Sequence, residues 1–134
     1  MSDESKRFRV VIAENYVPMQ ENIRRALPLE CDVIGMVENG IAALDVVAAQ
    51  QPDLLLLDVS MPGMSGFAVA EKLFLANSTV KVIFVTMHGD CSYVERAFEV
   101  GGKGYVLKRN MLTELSAAIR EVLAGGVYGS PRRI

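Results

Sequence analysis

Asp58 follows Leu54-Leu55-Leu56-Leu57 directly and runs into Val59-Ser60-Met61-Pro62-Gly63. Four consecutive leucines show no alternation, so they read as a strand buried on both faces, as in a parallel sheet. A carboxylate ending such a strand is costly to bury and needs a partner or a function. The plain alternative is an aspartate that caps the following turn. Other polar residues hold equivalent places. Glu14-Asn15 follow the apolar run Phe8 to Ala13, Thr86 follows Val80 to Val85, and Lys108 follows Tyr105-Val106-Leu107. In a parallel sheet the carboxyl ends of the strands converge on one crevice. Two carboxylates, an amide, a hydroxyl and an ammonium gathered there suit a hard, oxygen-ligated cation such as Mg²⁺ beside an oxyanion. Neither Gly-x-x-x-x-Gly-Lys-Ser/Thr nor Gly-x-Gly-x-x-Gly occurs, so a nucleotide is not indicated.

The elements that must position these residues alternate regularly. Strands are expected at Phe8 to Ala13, Cys31 to Val37 (closed by a turn at Asn39-Gly40), Leu54 to Leu57, Val80 to Val85 and Tyr105 to Leu107. A helix follows each. Pro18 sits in the first turn of the first, where its missing N–H costs little. Pro52 ends the second, whose inward residues are expected to be Ile41, Leu44, Val47 and Ala48. The third places Phe67, Ala70, Leu73 and Phe74 on one face. A capping box from Ser92 to Glu95 is expected to open the fourth, with Val94, Ala97 and Phe98 inward. Asn110 is expected to cap the fifth, which turns Leu112, Leu115, Ile119, Val122 and Leu123 to the core. Strand–helix five times over predicts an α/β fold, a doubly wound five-stranded parallel sheet with helices on both faces and flavodoxin-like topology.

The 134 residues suffice for one domain with a real core, and 51% are hydrophobic, which excludes a disordered chain. A net charge of −2 at pH 7 leaves no basic footprint for nucleic acid. No apolar run is long enough for a membrane span. Cys31 and Cys91 lack metal-ligand spacing and read as reduced, packed cysteines of a cytoplasmic protein. Met61, Met64 and Met87 read as core and loop packing.

These residues and spacings resemble the receiver domain of two-component response regulators. The resemblance covers nearly the whole chain: the acidic region after strand one, Asp-x-x-Met-Pro-x-x-x-Gly from Asp58 to Gly66, Thr86, and Lys108. Gly102-Lys103-Gly104-Tyr105-Val106-Leu107-Lys108 and the ending Gly126-Val127-Tyr128-Gly129-Ser130-Pro131 are most similar to the NarL/FixJ (LuxR-type) subgroup. The resemblance implies that Asp58 is the phosphoacceptor, that Thr86 and Lys108 contact the phosphoryl group, and that Glu14, Asn15, Asp58 and the Ser60 backbone carbonyl hold Mg²⁺. It also implies that Thr86 and Tyr105 form a switch, with Tyr105 swinging inward; an ordinary half-buried strand tyrosine is the plain alternative. His88, two residues past Thr86, reads as a site-lining residue and not as a catalytic base. A sensor histidine kinase is the implied partner. Phosphorylation would switch the face formed by the fourth helix, fifth strand and fifth helix, with a homodimer as one readout. Residues 1–7 are then a disordered tail, 8–127 the receiver, and 128–134 the start of a linker. The linker would lead to a helix-turn-helix output domain in a longer parent, with no nucleic acid bound by this chain itself.

This sequence departs from the family in carrying Glu14-Asn15 where two acidic residues are usual, which predicts weakened Mg²⁺ binding. Arg109 stands where many receivers have a cis-proline, which leaves the Lys108–Arg109 geometry open. Three other readings compete with this one. A phosphorylation-independent pseudo-receiver, acting as an interaction or dimerisation module, draws support from Asn15. An aspartyl-nucleophile phosphohydrolase is opposed by Ser60, which stands where such an enzyme needs a second carboxylate. A flavodoxin-like electron carrier is opposed by the absence of a Ser/Thr/Gly phosphate loop after strand one.

Overall fold

The computed structural model describes residues 7–130. Five strands, β1 (Phe8–Ala13), β2 (Cys31–Val37), β3 (Leu54–Leu57), β4 (Lys81–Thr86) and β5 (Gly104–Leu107), form one parallel sheet in the order β2-β1-β3-β4-β5. They alternate with α1 (Val17–Arg25), α2 (Gly40–Gln50), α3 (Gly66–Leu75), α4 (Cys91–Glu99) and α5 (Met111–Leu123). The expected doubly wound fold is therefore present, with strand boundaries matched to within a residue.

The leucine run shows why the sheet must be covered on both sides. Leu55 and Leu57 pack with Ala43 and Val47 of α2, Val69, Ala70 and Leu73 of α3, and Ala97 of α4. Leu54 and Leu56 pack on the other face with Ile23 of α1 and Leu115, Ala118, Ile119 and Val122 of α5. Each fully buried leucine contributes about 1.5–3 kcal/mol. The order reverses between β1 and β3, so their carboxyl ends open onto the crevice where Glu14 and Asp58 emerge.

The helix starts differ in part from expectation. Asn39 does not close a free turn but caps α2, its Oδ1 accepting from the Ala42 N–H at 2.8 Å. Ser65 caps α3 through the Ala68 N–H. The capping box at Ser92 is not formed: α4 begins at Cys91 after an extended Asp90, so Ser92 is already inside the helix. Asn110 stands at the N-cap of α5, but its side chain caps nothing; its carbonyl accepts from Thr113 Oγ1 instead. A 3-10 turn, Lys108–Asn110, precedes that helix, and no described peptide bond is cis, so Lys108–Arg109 is trans.

Some residues assigned inward face out. Leu112 is 81% exposed because Met111 takes the core position at the start of α5. Ile41 and Ala48 are exposed, and the buried face of α2 runs through Ala43 and Val47. Phe74 lies 59% exposed across Gly101, where a Cβ would come within 2.7 Å of its ring. Met61 and Met64 pack against the core, whereas Met87 is exposed. Cys91 is exposed, not packed, and Cys31 is partly buried, with burial pushing its thiol up to about 11. A thiol held that high is a poor nucleophile.

The expected disordered tail falls mostly on residues 1–6, outside the described residues. Arg7 forms a bidentate pair with Asp32. Tyr128, assigned to the linker, lies against the edge of β5 and packs on the α5 side of the core.

Gly66 fixes the base of the turn after Asp58. A Cβ there would stand 2.1 Å from the Asp58 carbonyl oxygen, and the Gly66 N–H donates to the Val59 carbonyl at 2.8 Å. Backbone on backbone cannot yield as a side chain can. Gly66→Ala is expected to cost about 2 kcal/mol in urea unfolding.

Candidate functional site

Each functional side chain is set by the strand that delivers it. The Asp58 N–H still donates to the Ala13 carbonyl (3.0 Å), so β3 holds the residue in register while its side chain leaves the sheet. Glu14 is held likewise by its N–H to the Val37 carbonyl (2.9 Å). Its carbonyl accepts from Gln20 Nε2 (2.7 Å) and its Oε2 from the Tyr16 N–H (3.1 Å). Both carboxylates are buried, Glu14 at 1% and Asp58 at 5% exposure.

They converge on one ammonium. Lys108 Nζ lies 2.8 Å from Glu14 Oε1 and donates to Asp58 Oδ2 at 3.2 Å. Its contact with Glu14 Oε1 is close but off the hydrogen-bond direction, which leaves that buried oxygen ion-paired without a proper donor. Two acids around one base leave an uncompensated negative charge in a buried place. Burial, with the Asp58 charge, holds the Glu14 carboxyl above its usual range, opposed by Lys108.

A hard cation fits this donor set. A buried carboxylate oxygen lacks a donor, a second carboxylate meets it at the same point, and the net charge is negative. Asn15 is exposed beside Glu14, and Ser60 is exposed beyond Asp58. Among the described residues there is no cluster of three or more His, Cys, Asp or Glu side chains able to hold a metal.

Thr86 and Tyr105 belong to a second layer. Thr86 is fully buried, and its Oγ1 accepts from the His88 N–H at 3.3 Å, leaving its hydroxyl proton to donate elsewhere. Tyr105 is turned inward, its hydroxyl donating to the His88 carbonyl at 2.7 Å. Burial pushes its phenol up to about 12. His88 links α4 to the turn after β3: its ring stacks on Tyr93 at 4.4 Å, and its Nε2 lies 3.0 Å from Ser60 Oγ.

Thus Glu14, Asp58 and Lys108 are in direct contact, Thr86, His88 and Tyr105 form a chain of hydrogen bonds beside them, and Ser60 joins that chain through His88. Asn15 is next to the cluster in sequence but faces solvent. Two residues were missed by sequence reasoning. Gln20 is a buried polar residue whose amide ties Glu14 to Val37; its place on the inward face of a helix starting near Pro18 was an available signal. Tyr93 carries no signal, since only the folded loop brings it to His88. A surface groove of about 560 Å³ lies between α2 and α3 near Pro52 and Val80, at the opposite ends of the strands, and contains none of these residues.

The structure thus joins an aspartate, a glutamate and a lysine at the carboxyl edge of a parallel sheet. Residues 10–120 match the response regulator receiver domain model, and the chain belongs to that family. Its relatives are LuxR-family regulators of the NarL and DegU kind. It is 32% identical to the probable transcriptional regulatory protein NarL of Mycobacterium tuberculosis, over 97% of this chain and 66% of that protein. It is 30% identical to the transcriptional regulatory protein DegU of Brevibacillus brevis, over 94% of this chain and 54% of that one. The chain thus spans between half and two thirds of the length of these relatives. Among solved structures, the signal receiver domain of M. tuberculosis NarL superposes with a TM-score of 0.85 at 32% identity, covering 90% of this chain and 98% of that one. A LuxR-family response regulator from Aurantimonas sp. gives a TM-score of 0.87 at 25% identity, covering 93% of this chain and 91% of that one. The protein is a signalling domain of a two-component response regulator. Among the described residues no helix is long and apolar enough to cross a membrane.

Proposed function

We propose that this chain accepts a phosphoryl group on Asp58 from a histidine kinase and passes the change to an output. The observation that carries the reading is the junction of Asp58, Glu14 and Lys108 on one buried point at the carboxyl edge of the sheet. An Asp58 Oδ attacks the phosphorus of a phosphohistidine; the new O–P bond replaces the P–N bond, and the electron pair returns to the imidazole, which takes a proton. Lys108 Nζ, already at hydrogen-bond distance from Asp58, balances charge on the arriving phosphoryl oxygens. The Thr86 hydroxyl donates to another of them. Glu14, Asp58, the Ser60 carbonyl and Asn15 would hold Mg²⁺, which masks the repulsion between carboxylate and phosphoryl group.

Once Thr86 is drawn to the phosphoryl group, its contact with the His88 N–H and the Tyr105–His88 bond become the elements to rearrange. That biases a two-state equilibrium in the loop after β4 and in the α4-β5-α5 face. Self-association or contact with a helix-turn-helix output domain in a longer cytoplasmic protein is the readout; relatives such as a LuxR-family regulator from Staphylococcus aureus are described as DNA-binding. Incubation with acetyl phosphate tests the reading: a Mg²⁺-dependent acyl phosphate on Asp58 is expected, and its absence would favour the phosphorylation-independent interaction module.

Asn15 bears on how tightly the metal is held. The residue is exposed, so a charge added there acts through water and is worth ~1 kcal/mol. Asn15→Asp is expected to tighten Mg²⁺ about fivefold, read by titration of the apo protein; equal affinities would show that Asn15 lies outside the ligand set.

A further inference from the structure

After α5 the chain does not leave the domain. Gly125 takes a φ of +103°, and Tyr128 then forms a parallel bridge to Gly104 on the free edge of β5. The Tyr128 N–H donates to the Lys103 carbonyl at 2.9 Å, and the Tyr105 N–H donates to the Tyr128 carbonyl at 3.0 Å. Gly129, at a φ of +81°, then passes so close that a Cβ would lie 2.5 Å from the Tyr105 carbonyl oxygen. The Tyr128 side chain packs with the α5-side core. Three consecutive contacts therefore fall on the backbone around one residue, Tyr105, whose hydroxyl is bonded to the His88 carbonyl in the loop after Thr86. An edge strand offers unpaired backbone groups, and here the chain's own exit segment takes them.

We infer that Val127–Ser130 is a strap, clipped to the edge of β5 at Tyr105, that carries the state of Tyr105 to the residues beyond it. The inference rests on reading Tyr105 as the switch residue. Coupling of this kind is reciprocal: whatever loosens Tyr105 loosens the strap, and unseating the strap alters Tyr105. The strap is short and partly exposed, so it belongs to the low-stability end of the fold, where a few hydrogen bonds decide its population.

Amide hydrogen exchange on the whole chain, resolved at Tyr105 and Tyr128, tests it, with the Val11 amide in the buried β1 as an internal check of folding. Tyr105→Phe removes the bond to His88 and leaves the β5 backbone as it is; Gly129→Ala forces the strap off the Tyr105 carbonyl. Both are expected to speed exchange of the Tyr128 amide by roughly tenfold, with the Val11 amide unchanged. An unaltered Tyr128 amide in Tyr105→Phe would overturn the coupling even if Gly129→Ala unseats the strap, and fast exchange in the wild type would show that no strap exists. Acetyl phosphate adds a separate arm, with the adduct followed by mass. An adduct that leaves Tyr128 exchange unchanged overturns the inference. If no adduct forms, the phosphoacceptor reading fails and the Tyr105→Phe result alone decides the strap.

Discussion

Asp58→Asn is expected to form no phosphoryl adduct at all under conditions that load the wild type. A carboxamide is nearly isosteric with the carboxylate but has no anionic oxygen to attack phosphorus, so the loss is of the nucleophile and not of the fold. The site geometry makes the control unusually clean. Asp58 and Glu14 share Lys108, and the Asp58 charge is one of the causes that hold the Glu14 carboxyl high. Neutralising Asp58 removes that repulsion and leaves Lys108 to Glu14 alone. Without Mg²⁺ the variant is therefore expected to melt at or above the wild-type temperature, by calorimetry, while failing to phosphorylate. A variant that lost both properties together would show that Asp58 holds the turn, not the chemistry.

Lys108→Ala should have the largest effect on stability. It leaves two buried carboxylates facing each other with no cation, and breaking a buried ion pair from one side costs about 3 kcal/mol. The pH dependence has a definite sign. The folded-state pKa of Glu14 is raised above its unfolded value, by burial first and the Asp58 charge next, so the folded protein binds that proton more tightly than the unfolded chain. The stability this gives is fully present below the unfolded pKa and is lost as pH rises through the folded one. Removing Lys108, which lowers the Glu14 value, raises it further. The deficit of the variant in urea unfolding should thus be greatest at neutral pH and shrink as pH falls through the raised range of Glu14. Mg²⁺ at neutral pH should recover part of it. A deficit independent of pH and Mg²⁺ would mean that the lysine contributes only its packing.

What the sequence disclosed follows from which signals are local. A run of leucines without alternation can be satisfied only between two layers, so β3 and its terminal Asp58 were legible directly, and the polar residues ending β1, β4 and β5 followed from the strand pattern. Helix faces were less legible. Leu112 and Met111 are adjacent apolar residues in a first turn, and which one points inward depends on the 3-10 turn at Lys108–Asn110 that sets the entry angle of α5. Phe74 is apolar yet exposed because its partner is Gly101, 27 positions along the chain by number, a contact no periodicity encodes. The stack of His88 on Tyr93 and the reach of Gln20 to the Glu14 carbonyl are likewise tertiary. The linker start at residue 128 rests on the resemblance of the segment from Gly126 to Pro131 to the end of a receiver, and the pairing of Tyr128 with β5 is a tertiary contact that no local pattern encodes.

The measurement closest to the central claim is the intact mass of the wild-type chain after incubation with acetyl phosphate, with Mg²⁺ and with a chelator, followed by peptide mapping. A single phosphoryl adduct on the peptide carrying Asp58, dependent on Mg²⁺ despite Asn15, is the expected result. No adduct at saturating Mg²⁺, or one located away from Asp58, would contradict the account.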